Sequence, residues 1–179
     1  MVEIRTQRLV LRPYALTDFE EAAAMWADPE VVRYVGGVPT TREQAWQKTL
    51  RTIGLWTAYG FGMFAVRDHE GRWVGEVGVW ESKRDTEPPY EGLEAGWVLA
   101  PWAHGQGLAS EALSAALDWF DRTHGPRDIM CMIDPPNAPS RRVAAKHGFV
   151  EVSRPRYRDV EVILFTRPST PDRASRASS

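Results

Sequence analysis

The segment Ala100-Pro101-Trp102-Ala103-His104-Gly105-Gln106-Gly107-Leu108-Ala109 constrains this chain more than any other. Residues 93–100 before it read as a β-strand. After it Ala109, Ala112, Leu113, Ala116, Leu117 and Phe120 recur at helical spacing over 107–123. Two glycines at alternate positions between a strand and a helix let a ligand approach the main chain closely. The helix N-terminus adds unpaired N–H groups and the positive end of a dipole, a combination suited to a pyrophosphate. Residues 129–133 then form an apolar run of the kind found in a central buried strand. Strand, helix and strand make one βαβ unit with a parallel crossover.

The elements before this unit follow local rules. A strand is expected at about 7–14. Thr17, with Glu20 three residues on, reads as a capping box for a helix carrying Phe19, Ala22, Ala23 and Trp26. Asp28-Pro29 opens a short helix, Gly36-Gly37-Val38-Pro39 is a loop, and Thr41 with Gln44 caps a helix running to about Tyr59. Strands at 62–67 and 73–80 are joined by the turn Asp68-His69-Glu70-Gly71. Residues 83–92, polar and holding Pro88-Pro89, read as a loop. Beyond 133 a helix is expected over 138–147, ended by Gly148, then strands at 149–153 and 159–166. The strands before the βαβ unit are joined by short loops and should be antiparallel. The fold class is α+β, three layers around a mixed, mostly antiparallel sheet with one parallel crossover. Residues 1–167 are expected to form one domain. Residues 168–179 lack apolar side chains to bury and read as a disordered tail.

Composition narrows the function. The net charge is −2, from 22 basic and 24 acidic residues without a long single-sign run, which argues against direct nucleic-acid binding. No apolar stretch approaches a membrane span. The single cysteine, Cys131, cannot close an intramolecular disulfide, and without a secretory leader the expected setting is cytoplasmic. The histidines at 69, 104, 124 and 147 lack metal-ligand spacing, so no metal is expected. The eight tryptophans read as core and groove packing.

Glu94-Ala95-Gly96-Trp97-Val98-Leu99-Ala100-Pro101 followed by Gly105-Gln106-Gly107-Leu108-Ala109-Ser110-Glu111-Ala112 resembles the coenzyme A signature of the GNAT acetyltransferases. Thr6-Gln7-Arg8-Leu9-Val10-Leu11-Arg12-Pro13 and the segment from Asn137 to Phe149 are similar to flanking motifs of the branch that contains ribosomal-protein N-terminal acetyltransferases. His104 departs from the wider family's Arg or Gln. The resemblance implies the GNAT fold with a splayed central strand, and acetyl-CoA as cosubstrate. It implies pyrophosphate binding by the main chain of His104, Gly105, Gln106, Gly107, Leu108, Ala109 and Ser110. Trp97, Val98 and Leu99 would hold the pantetheine arm, Asn137 would bond it from the other side, and Ser140 would lie by the thioester sulfur. The implied activity is acetyl transfer to a primary amine, a protein N-terminus or a small molecule, by a monomer or homodimer.

Glu94, Gly96 and Val98 share one strand face, and Glu76, Gly78 and Trp80 share another. A carboxylate within a strand is uncommon, so Glu94 is the first choice of general base, with Glu76, Asp159 and Glu161 as alternatives. Asn137 also fits a helix cap and Ser140 an ordinary first-turn residue. A non-catalytic acetyl-CoA sensor would need only the cofactor motifs. A dinucleotide oxidoreductase would read Gly105-x-Gly107-x-x-Ser110 as its fingerprint and Asp134 as the ribose ligand, but a serine replaces the third glycine.

Overall fold

A computed structural model describes residues 2–169. The expected tail beyond residue 169 lies outside the described residues. The described residues form eleven strands: β1 (Ile4–Arg5), β2 (Leu9–Pro13), β3 (Met63–Asp68), β4 (Trp73–Arg84), β5 (Thr86–Glu87), β6 (Tyr90–Leu99), β7 (Ile129–Ile133), β8 (Val150–Ser153), β9 (Arg156–Tyr157), β10 (Val160–Glu161) and β11 (Ile163–Arg167). The helices are α1 (Phe19–Trp26), α2 (Pro29–Val32), α3 (Arg42–Tyr59), α4 (Leu108–His124) and α5 (Ala138–Lys146).

Eight strands form one sheet in the order β1-β2-β3-β4-β6-β7-β11-β8, while β10, β9 and β5 form a small second sheet. Every pairing in the large sheet is antiparallel except β6 with β7, the pair joined through α4. Alternation along β6 divides the interior. Leu93, Ala95 and Leu99 enter the larger core with Leu113, Leu117 and Phe120 of α4. Val98 and Ala100 instead pack with Trp26, Val32 and Trp73 in a second cluster under α1 and α2. Helices thus cover both faces, giving three layers.

Two expectations are corrected. Thr17 does not cap α1. The chain makes a single 3-10 turn over Leu16–Asp18, and the side chain that closes it is Asp18, whose Oδ2 accepts the Ala15 N–H at 2.9 Å. Asp18 is fully buried and also accepts from Arg12 (2.6 and 2.8 Å) and Arg67 (3.1 Å). A tertiary ion-pair network has displaced the local cap. The loop expected at 83–92 is shorter: β4 and β6 stay paired out to Arg84↔Tyr90, with Lys83 bonded to Glu91 at 2.6 Å, and only residues 85–89 connect them. By contrast Thr41 and Gln44 make both bonds of the capping box at α3. The tryptophans pack mostly inward: Trp26 and Trp73 are buried, and Trp56, Trp97, Trp102 and Trp119 abut the main core.

Candidate active site

The parallel pair opens as a wedge. β6 and β7 pair only at Leu93↔Ile129 and Glu94↔Met130, after which β6 runs on to Leu99 and β7 to Ile133 without pairing. On its other edge β6 keeps its ladder with β4 as far as Gly75↔Leu99. The Ala100 N–H donates to the Val74 carbonyl at 2.9 Å, on the β4 side. Alternation then directs the N–H groups of Trp97 and Leu99 into the wedge, and that of Val98 toward β4. The indole N–H of Trp97 is buried without a partner among the described residues.

After β6 the chain makes a 3-10 turn over Pro101–Ala103, and His104 Nε2 lies 3.0 Å from the Leu99 carbonyl, a bond that needs the proton on Nε2. Gly105 and Gly107 both adopt left-handed φ, +72° and +77°. A side chain at Gly105 would meet nothing within 4 Å, and one at Gly107 only Arg8 Nη2 at 3.7 Å, so conformation and not crowding calls for glycine here. Gly107 is the N-cap of α4 and supplies no side chain, leaving the first-turn amides of Leu108, Ala109 and Ser110 without helical acceptors. Gln106 turns its amide back onto the Trp102 carbonyl at 2.6 Å. The Ser110 hydroxyl lies 2.9 Å from His147 Nε2 and joins α4 to the end of α5. Burial, then Lys146, hold the His147 ring below its ordinary value. A groove of about 520 Å³ runs here past Arg8, Gly107, Ser110, Lys146 and His147.

The α5 N-terminus follows β7 as the glycine loop follows β6, so both lie at the carboxyl ends of the parallel pair, where α/β folds bind ligands. Asn137 Oδ1 accepts the Ser140 N–H at 3.2 Å, so Asn137 caps α5. Its amide NH₂ is not used by that bond. Among the described residues the Ser140 hydroxyl has no side-chain hydrogen bond.

The opposite face of β4 and β6 carries the acids. Glu94 is buried at the apex of the wedge. Its carboxylate accepts from Ser82 Oγ (2.6 Å), Arg84 Nε (2.7 Å) and Arg84 Nη2 (2.6 Å). Burial works against the Arg84 cation, but these bonds hold it well above its ordinary range. Arg84 also donates to Tyr157 Oη of β9 at 3.2 Å. Burial and Glu94 push the Tyr90 hydroxyl up to about 12. Glu76, cross-strand from Val98, is also buried. It accepts from Tyr14 Oη at 2.5 Å and lies 3.5 Å from Lys48 Nζ, itself 3.2 Å from the Trp26 ring centre. Burial lowers the Lys48 amine despite Glu76. Asp159 and Glu161 lie near or on β10 of the small sheet, where Glu161 meets Arg154 at 3.6 Å. Cys131 is buried in β7, and burial pushes its thiol far up.

The glycine loop, Asn137 and Ser140, singled out from the sequence, come together at the carboxyl ends of β6 and β7. Sequence reasoning missed Arg84, Ser82 and Tyr157 around Glu94, and Tyr14 and Lys48 around Glu76. No local signal marks these residues, because only strand register puts them together.

Residues 8–150 match the family model described as an acetyltransferase (GNAT) domain. The chain belongs to the GNAT acetyltransferase family. It is 29% identical over 147 residues to the uncharacterised N-acetyltransferase YnaD of Bacillus subtilis (strain 168), covering 82% of each chain. A Bordetella pertussis structure assigned to the GnaT acetyltransferase family is 30% identical, with a TM-score of 0.82 over 93% of this chain and 99% of that one. The ribosomal-protein-S5-alanine acetyltransferase of Vibrio fischeri shares the fold at 22% identity, with a TM-score of 0.72 over 95% of this chain and 98% of that one. The mixed sheet with its one parallel pair is the GNAT fold, and the protein is a GNAT N-acetyltransferase, of a family that uses acetyl-CoA. No helix among the described residues is long and apolar enough to cross a membrane.

Proposed function

We propose that this GNAT enzyme passes acetyl directly from acetyl-CoA to a primary amine, a protein N-terminus or a small molecule, within a ternary complex. The observation that carries this reading is the wedge between β6 and β7, opening beside an uncapped α4 N-terminus. The main chain from His104 to Ser110 takes the pyrophosphate. The pantetheine arm is bonded along the free edge of β6, and the spare NH₂ of Asn137 bonds it from α5. Of the two N–H groups of β6 that face the wedge, those of Trp97 and Leu99, the one beside the thioester takes the oxyanion and the other the arm, whereas that of Val98 faces β4 and does neither. Ser140 donates to the departing thiolate.

Only a neutral amine attacks a thioester, and amines with pKa values of about 8 to 10 are mostly charged at neutral pH. We assign the proton to Glu94, through water, since its oxygens already accept three hydrogen bonds. Cys131 is too deeply buried to serve as an acetyl carrier, which favours direct transfer. The acceptor enters from the side of α1, α3 and the β4–β6 arm. Of the arm's acids, Glu91 is already paired with Lys83, leaving the exposed Asp85 and Glu87 facing solvent. Thr6 to Pro13 supports a place in the N-terminal acetylating branch.

The test is a screen of amines and N-terminal peptides with acetyl-CoA, read by thiol release. Thiol should appear in step with acetylated amine, whereas a sensor would bind acetyl-CoA and release none. Glu94→Gln should then lower turnover about 10- to 1000-fold, the scale of general acid–base effects, with acetyl-CoA affinity kept. Full turnover in that variant would show that Glu94 is not the base and leave Glu76, Asp159 or bulk water for the role.

A further inference from the structure

We propose that Arg8 and Glu111 are a positioning pair that sets the glycine loop for acetyl-CoA. The inference rests on the reading that the loop amides receive the pyrophosphate. Glu111 lies one turn into α4, yet its carboxylate turns away from the helix toward the β1–β2 turn. Oε1 accepts from Thr6 Oγ1 at 2.6 Å and from the Arg8 main-chain N–H at 2.9 Å. Oε2 accepts Arg8 Nε at 2.7 Å and forms an ion pair with Arg8 Nη2, also 2.7 Å away. The remaining arm of the guanidinium, Nη1, donates to the Gln106 carbonyl at 2.9 Å. Thr6 is itself fixed, its hydroxyl accepting the Leu9 N–H at 3.0 Å. One planar fork thus joins the β1–β2 turn, the first turn of α4 and the middle of the glycine loop.

The contact with Gln106 matters because of peptide geometry. Gln106 sits between the two left-handed glycines, and its carbonyl shares a trans peptide plane with the Gly107 N–H. Drawing the oxygen toward Arg8 aims that N–H to the opposite side. It also keeps a carbonyl, which would repel phosphate, out of the cradle. The Thr6-x-Arg8 motif at the start of the chain thereby has a use at a site about a hundred residues away. Arg8 and Glu111 position the loop; the pair itself performs no step of the reaction.

The charge of Glu111 gives the test its sign. A carboxylate beside a pyrophosphate cradle repels the ligand, so by charge alone Glu111→Gln would tighten acetyl-CoA binding. Positioning requires the reverse. Calorimetric titration with acetyl-CoA, together with steady-state kinetics, should show weaker binding for Glu111→Gln and for Arg8→Met. The loss expected is on the order of tenfold, the scale of one or two charge-assisted hydrogen bonds. It should appear in the KM for acetyl-CoA, with the amine KM unchanged. Arg8→Lys keeps the charge but not the fork, and should remain weak. The double variant should lose no more than the larger single loss, because each change breaks the same unit. Thr6→Val should give a smaller loss in a protein that keeps nearly all the network. Glu111→Gln binding as tightly as wild type or tighter, recovery in Arg8→Lys, or additive losses would each overturn the proposal. Failure of the underlying reading would show separately, as wild-type protein giving no heat with acetyl-CoA.

Discussion

Gly107→Val separates a structural need for glycine from a ligand's need for it. At φ +77° an L-residue is strained by about 1–2 kcal/mol. Nothing in the protein crowds an added Cβ, since the nearest atom, Arg8 Nη2, is 3.7 Å away, an ordinary van der Waals contact. The folded variant should therefore be modestly destabilised, its Tm lower by about 2–8 °C at roughly 2–4 °C per kcal/mol for a chain of this size. Binding should suffer much more. If pyrophosphate lies on the amides around Gly107, the valine methyls hold it beyond hydrogen-bond range. Losing two charge-assisted bonds of about 1.5–3 kcal/mol each is a loss of a hundredfold or more. Gly107→Asn is the control for backbone strain, because asparagine tolerates the left-handed region better. Scanning fluorimetry with and without saturating acetyl-CoA reads both effects, since a ligand that binds only the native state raises Tm by mass action. A folded Gly107→Val protein that binds acetyl-CoA within about threefold of wild type, a difference under 1 kcal/mol, would refute the placement of the pyrophosphate on this loop.

Asp18→Asn should destabilise the fold by about 3–5 kcal/mol, as expected when one partner of a buried ion pair is removed and Arg12 loses its counter-charge, while Arg67 keeps Glu21; urea titration measures it. Burial opposes the Asp18 charge, but the bonds from Arg12, Ala15 and Arg67 outweigh it and hold the carboxyl below its ordinary value. Its contribution is therefore complete above the unfolded-state value and fades as pH falls through the folded one, so wild type should lose stability on acidification more steeply than Asp18→Asn. Cys131 should resist iodoacetamide in the native protein and react on unfolding, read by intact mass, because burial holds its thiol in the protonated form. Ser140→Ala should lower kcat and leave acetyl-CoA affinity unchanged. Removal of residues 170–179, which contribute no large apolar side chain, should leave Tm and turnover at wild type while keeping the bond from the Ser169 N–H to Asp128.

What was legible in the sequence is what short-range physics decides. The capping box of Thr41 and Gln44 closes within one helical turn, so nothing distant competes with it. Ile129–Ile133 was readable because a strand covered on both faces is apolar at every position. Thr17 fails as a cap for a reason that no window around it contains. Arg12 and Arg67 come from adjacent strands, Arg12 pairing with Ala65 beside Arg67, and their combined charge makes Asp18 worth burying. The β4–β6 arm fails in the opposite sense: a hairpin needs only main-chain bonds and cross-strand pairs such as Lys83 with Glu91, so polar residues do not forbid it, and Pro88-Pro89 fall in the connection beyond the last pair. The same asymmetry runs through the site. Glycines 105 and 107 announce themselves, since left-handed turns before a helix limit which residues fit. Glu94 announces only that a carboxylate lies in a strand. Its behaviour depends on Arg84, brought to it by the register Trp80↔Glu94 along an arm read as loop. Main-chain cradles are written locally, whereas the ionic surroundings of an acid are written in the pairing of strands. The left-handed glycine loop ahead of α4 was therefore readable from the sequence, and the ionic surroundings of Glu94 became readable only with the sheet.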